Sequence, residues 1–169
     1  ITHGAMDVSV LKEMPVVKNI TTYIVTAGER KRLFDHTRKV LASGGQIAIV
    51  YPIVNDDEQE KKSVVAAAAE WDKQFPGLVG MVHGQMKEAE KVAAVDGLKS
   101  GNQKIAVVSS VIEIGLTLPS LRSLIVVHAE RYGTSTLHQL RGRVARLGGN
   151  GYFFLFLPES VAPETMQRL

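Results

Sequence analysis

The sequence has no cysteine in its 169 residues, which excludes disulfides and thiolate metal sites and fits a reducing compartment. No apolar stretch approaches the roughly 20 residues that cross a bilayer, so no membrane partner is expected. No internal repeat or low-complexity tract interrupts the chain. There is no phosphate loop of the form G-x-x-x-x-G-K-S/T, and no Asp-Glu pair follows a strand in the way a magnesium-binding motif would. The absence of G-x-G-x-x-G argues against a dinucleotide-binding Rossmann enzyme. No metal-ligating set is expected. The first residues, Ile1-Thr2-His3-Gly4, offer neither an initiator Met nor a signal-peptide pattern, and the chain reads as cut from a longer one.

What is present is the composition of a water-facing globular domain. Hydrophobic residues make up 45% and charged residues 22%, a balance that lets one domain of this length bury a core without staples. The formal net charge of +3 and pI of 9.2 lean toward an anionic partner such as nucleic acid. The same balance also suits an ordinary domain of this size.

Apolar, β-branched runs alternate with helical patterns. Strands are expected at residues 20–26, 46–51, 78–83, 104–109, 124–128 and 152–157. Helices are expected at 28–43, 56–75, 87–99 and 135 to about 146. The run Gln46 to Tyr51 is apolar almost throughout, as in a strand covered on both faces of a parallel sheet. Gly44-Gly45 should stop the first helix. This alternation predicts a three-layer α/β fold with a mainly parallel sheet. Residues 1–19, with Pro15 and no clear period, read as a linker; 20–157 read as the domain; 158–169 read as the start of a further region.

Three segments carry candidate chemistry. On a helix, Leu137, Leu140 and Val144 would share one face, and Gln139, Arg143 and Arg146 another, at i, i+4 and i+7. Two guanidiniums and a carboxamide would then point the same way from beyond a sheet edge, as forks matched to phosphate oxygens; a solvated basic face gives the same pattern. The strand ending in Ser109-Ser110 runs into a Gly115-containing turn, where open α/β sheets bind phosphate groups; a plain strand-to-turn transition looks alike. His83-Gly84-Gln85-Met86-Lys87 follows another strand at that edge. A small residue there permits close approach of a ligand, while His83 equally suits a half-buried imidazole with a satisfied partner.

Taken as an ordered set, these segments resemble the second-lobe motifs of superfamily 2 helicases, in the RecG branch. Gln139 to Arg146 resembles motif VI, Q-x-x-G-R-x-G-R. Ser109 to Pro119 resembles motif V, and Val50-Tyr51-Pro52-Ile53 resembles motif IV. His83 to Lys87 is similar to the H-G-R-M-K segment between motifs IV and V. Gly4 to Pro15 resembles the RecG inter-lobe segment G-D-L-D-V-S-x-I-D-E-L-P, and His128 to Gly133 resembles N-A-E-R-F-G, shared with the transcription-repair coupling factor. The likeness covers about residues 4 to 157.

The resemblance implies a RecA-like helicase C-terminal lobe that works with a first RecA-like lobe and duplex or branched DNA. ATP and magnesium would be bound mainly by that first lobe. It implies that Arg143 and Arg146 reach ATP phosphates, with Arg146 the arginine finger, and that Gln139 couples that site to DNA. Gly115 and Thr117 would lie near the nucleotide. Ser109, Ser110, His83, Gly84 and Lys87 would approach the nucleic-acid backbone, where contacts give affinity without sequence specificity. Two positions depart from the pattern: Thr117 stands where motif V has Asp, and Ala145 stands where motif VI has Gly. The shared segment at His128 to Gly133 keeps a coupling-factor lobe open as an alternative, and the two departures keep open a degenerate, non-catalytic RecA-like module.

Overall fold

The computed structural model describes residues 17–52, 57–109, 118 and 120–158. Six strands run in the order of the chain: β1 (Lys18–Thr26), β2 (Gln46–Tyr51), β3 (Val79–Val82), β4 (Ile105–Ser109), β5 (Leu121–Val127) and β6 (Gly149–Leu157). Four helices lie between them: α1 (Arg30–Ala42), α2 (Asp57–Gln74), α3 (Glu88–Ser100) and α4 (Thr134–Arg141). The strands form one sheet in the order β1-β6-β5-β2-β4-β3, and every pairing is parallel. The expected three-layer α/β fold is the one observed.

Strand position follows composition. β2 and β4 are apolar at nearly every residue, are buried along almost their full length and sit inside the sheet. Alternation then divides the core in two. Ile47, Ile49, Ile105, Val107 and Ile125 face Leu33 and Val40 of α1 and Val64, Ala67 and Trp71 of α2. Ala48, Val50, Ala106, Val108, Leu124 and Val126 face Leu98 of α3 and Leu137 and Leu140 of α4. β1, written with Lys, Asn and Thr, stays largely exposed and occupies an edge.

Gly44 stops α1, as expected. Its φ of +86° is a left-handed conformation that side chains with a Cβ resist, and its N–H donates to Leu41 O at 3.1 Å. The last helix differs from expectation. It was anticipated to run to about Arg146, but α4 ends at Arg141 and a series of turns fills the interval to β6. β1 takes in Lys18 and Asn19 at the end of the segment read as a linker. Residues 1–16 and 159–169, and with them most of both flanking segments, lie outside the described residues.

Candidate functional site

In a parallel sheet all strand starts share one edge and all strand ends share the other, so each candidate residue can be assigned to an edge. The turn after α4 belongs to the starting edge. Gly142 N–H and Arg143 N–H still bond back to His138 O and Leu140 O, at 3.0 and 3.1 Å. The next turn breaks the helix: Ala145 N–H donates to Leu121 O, on the first residue of β5, at 2.9 Å. Ala145 has a φ of +52°, a left-handed conformation that costs a residue with a Cβ roughly 1–2 kcal/mol. Glycine avoids that cost, which gives a physical reason for the motif's Gly, and Ala145 sits in a turn, outside α4.

Two cations from neighbouring strand starts tie this turn down. Lys18 Nζ donates to Gly142 O at 2.9 Å and to Val144 O at 3.2 Å. Arg122 Nη1 donates to Gly148 O at 2.6 Å and to Asn150 O at 3.2 Å. Between them, Val144 is fully buried, Arg143 is half-buried and Arg146 is exposed. Gln139 is exposed on α4. The three polar residues therefore do not form the helical stripe that their spacing predicted, because only Gln139 is helical. Arg146 engages no carboxylate among the described residues. Arg141, by contrast, is spent on structure: it donates to Thr22 Oγ1 at 3.1 Å and Ile20 O at 2.8 Å on β1.

The second group lies at the ending edge. Ser109 closes β4, and Val82 is in register with Val108, so His83 and Ser109 leave the sheet side by side. Tyr51 is in register with Ser109 on the other flank. Ser109 is fully buried, and its hydroxyl has no hydrogen-bond partner among the described residues. His83 is 3% exposed, and its Nδ1 accepts Gln85 N–H at 3.1 Å; the ring shapes its own turn. Gly84 and Lys87 are exposed. Lys87 caps α3, and its backbone N–H donates to the Glu90 carboxylate at 3.3 Å. Burial pushes the Tyr51 phenol up to about 12, with Arg30 opposing and Glu70 adding to the effect, so Tyr51 keeps its O–H at neutral pH. Ser110, Gly115 and Thr117 lie outside the described residues.

The described candidates thus fall into two sets, separated by the length of a strand. The seven residues of β5, at about 3.3 Å each, put the edges on the order of 20 Å apart. The spacing of single motifs carried no sign of this division. Nor did it mark Lys18 or Arg122, whose partners are far away in sequence. Among the described residues there is no cluster of His, Asp and Glu able to hold a metal ion.

Residues 30–148 match the profile of the helicase conserved C-terminal domain. The chain belongs to that family. The matched span contains every described candidate residue at both edges. Similar proteins named ATP-dependent DNA helicase RecG occur in Synechocystis sp., 36% identical over 99% of this chain and 20% of that protein, and in Thermotoga maritima, 34% identical over 99% and 22%. The chain therefore spans about a fifth of the length of these relatives. Among solved structures, RecG bound to a three-way DNA junction is similar, with a TM-score of 0.74 and 32% identity over 92% of this chain and 20% of that one. The resemblance stated from the motifs and the RecA-like fold both stand. β1 and β6 both fall outside the matched span, so Lys18 holds the arginine turn from beyond it.

Proposed function

We propose that this domain is the second motor lobe of a RecG-type, ATP-dependent DNA helicase or translocase acting on branched DNA in recombination, repair and fork rescue. Residues 20–157 would be the lobe, 1–19 the inter-lobe linker and 158–169 the start of a following region. The observation that carries the reading is the arginine turn. Arg146 stands exposed on a backbone that cation–carbonyl bonds and a buried Val144 hold in place. Bound with magnesium mainly on a first lobe, ATP supplies the phosphoryl group whose cleavage drives the motor. This chain's Arg146 would stabilise charge on that group as the arginine finger, Arg143 would bind its phosphates, and Gln139 would couple the site to DNA. Gly115 and Thr117 would border the nucleotide. At the opposite edge Ser109, Ser110, His83, Gly84 and Lys87 would meet the DNA backbone. The buried Ser109 and His83 would act there by shaping the edge, and Gly84 and Lys87 by contact. Work in the bacterial cytoplasm, at the nucleoid, follows from this reading.

A second reading is favoured by Ala145 and Thr117: a degenerate lobe that binds partners without turnover. DNA-stimulated ATP hydrolysis by the full-length enzyme, with and without Arg146→Ala, separates the two. Loss of turnover with retained ATP binding is expected of the motor. Parental turnover in the variant would put the degenerate lobe ahead.

A further inference from the structure

We infer that Lys18, on the edge strand β1, is a positioning residue for the arginine finger, linking the chain that enters the domain to the chemistry at the cleft. The inference rests on the motor reading above. Three observations carry it. Lys18 Nζ grips the carbonyls of Gly142 and Val144, so one ammonium holds the peptide unit that enters Arg143 and the one that joins Val144 to Ala145. The next residue, Ala145, is left-handed, with its N–H given to Leu121 O. A strained turn of this kind persists only where its surroundings over-determine it. Finally, Lys18 is the first residue of a nine-residue strand whose one partner among the described residues is β6, and Gly149 N–H also bonds Val17 O at 3.3 Å. A displacement at the start of β1 therefore reaches the turn that carries Arg143 and Arg146 through the Lys18 side chain, while Arg141 ties the end of α4 to Ile20 and Thr22 further along β1.

A plain stabilising role is the rival, since a Lys near a helix C-terminus complements the last carbonyls and the helix dipole. The two differ in what they change. A helix cap affects melting and leaves the turnover of folded enzyme alone. A positioning residue affects kcat, because a misplacement of about 1 Å in a catalytic group costs on the order of 10²-fold. Lys18 is only half-buried, so its replacement leaves the core intact.

The test uses the full-length enzyme with Lys18→Met, Lys18→Arg and Arg146→Ala in parallel, read by DNA-stimulated ATP hydrolysis, ATP KM, DNA affinity and thermal melting. Lys18→Met should lower kcat about 10- to 100-fold. ATP KM should stay within about threefold, the signature of an interaction made chiefly in the transition state. DNA affinity, set at the other edge, should not move. Lys18→Arg, which keeps the charge and can reach two carbonyls, should recover most of the rate. Parental kcat in Lys18→Met, or equal losses in Met and Arg variants, overturns the inference. If Lys18→Met fails to fold, Lys18→Arg decides alone: a folded Arg variant with kcat lowered as far as in Arg146→Ala overturns it. Unchanged turnover in Arg146→Ala sinks the motor reading itself, a distinct outcome from failure at Lys18.

Discussion

The two edges of the sheet are built by opposite means. At the ending edge, Tyr51, Ser109 and His83 sit at the close of buried strands, and their side chains are largely drawn into the protein. Among the described residues that edge presents a shape plus a few exposed groups, Gly84 and Lys87 among them. At the starting edge, an exposed arginine is carried on a turn pinned by Lys18, Arg122 and Leu121. A strand end is rigid because the sheet is rigid. A turn has no such inheritance and must be held group by group. Backbone-reading contacts tolerate loose side chains, since each contributes mainly charge, whereas transition-state stabilisation depends on pre-organised placement.

The comparison is broken most sharply at Arg146. Arg146→Ala in the full-length enzyme should reduce DNA-stimulated ATP hydrolysis by about 10³- to 10⁵-fold, with ATP binding and melting nearly unchanged. Arg146→Lys should recover little, because Lys keeps the charge but lacks the planar fork. Steady-state turnover at saturating DNA checks both, and near-parental rates would remove the functional distinction between the edges. Lys87→Ala should do the reverse. It should weaken DNA binding uniformly across sequences and lower the slope of log affinity against log salt by about 1, while kcat at saturating DNA holds. A salt slope identical to the parent's would take Lys87 out of the DNA-facing set.

A smaller effect concerns the layer that supports the starting edge. His36 Nε2 lies 2.6 Å from Ser123 Oγ, and the ring meets Tyr152 and Phe154 edge-on. Burial, aided by Lys39, holds this imidazole below its ordinary 6.5. The folded state thus resists a proton that the unfolded state accepts, and unfolding binds protons. Stability should be full above about pH 6.5 and decline as pH falls below it. Melting curves of this chain and of His36→Gln across pH 5 to 8 check the sign; the variant should show a flatter profile. If acidification destabilises both equally, another group is responsible.

The smallest effect is expected at Ala145→Gly. Relief of a left-handed Ala is worth roughly 1–2 kcal/mol. Loss of a buried methyl costs about 0.8 kcal/mol, and glycine's extra backbone freedom costs a further 0.5–1 kcal/mol. The net should lie within about 1 kcal/mol of zero. Chemical denaturation measures it, and a larger loss would mean that the methyl packed against β6 holds the turn.

The fold was legible in the sequence where burial on both faces writes a continuous apolar run. β2 was read to its observed ends, and the other strands to within a few residues. Helix ends marked by glycine, such as Gly44, were legible for the same physical reason. The end of α4 was not, because Ala145 adopts a left-handed conformation without the residue that normally announces one. Leu137, Leu140 and Val144 do share the core, so the apolar half of the motif was read correctly even though Val144 reaches the core from a turn. The candidate residues could be picked by type, but their division between two edges depends on strand direction, which no single motif encodes. Lys18 was silent for a related reason: its acceptors lie 124 and 126 residues away.

The pairing of β1 with β6 also has a mechanical side. The two strands run parallel over nine residue pairs, from Lys18 with Gly149 to Thr26 with Leu157. Tension on the chain ahead of Val17, opposed by tension on the chain beyond Leu157, acts along the ladder and pulls the strands in opposite directions. All the rungs then share the load in shear, instead of parting one at a time as they do when an antiparallel hairpin is peeled open. An edge strand with a single neighbour among the described residues, ordinarily the weakest place in a sheet, is here mounted to bear force along its length.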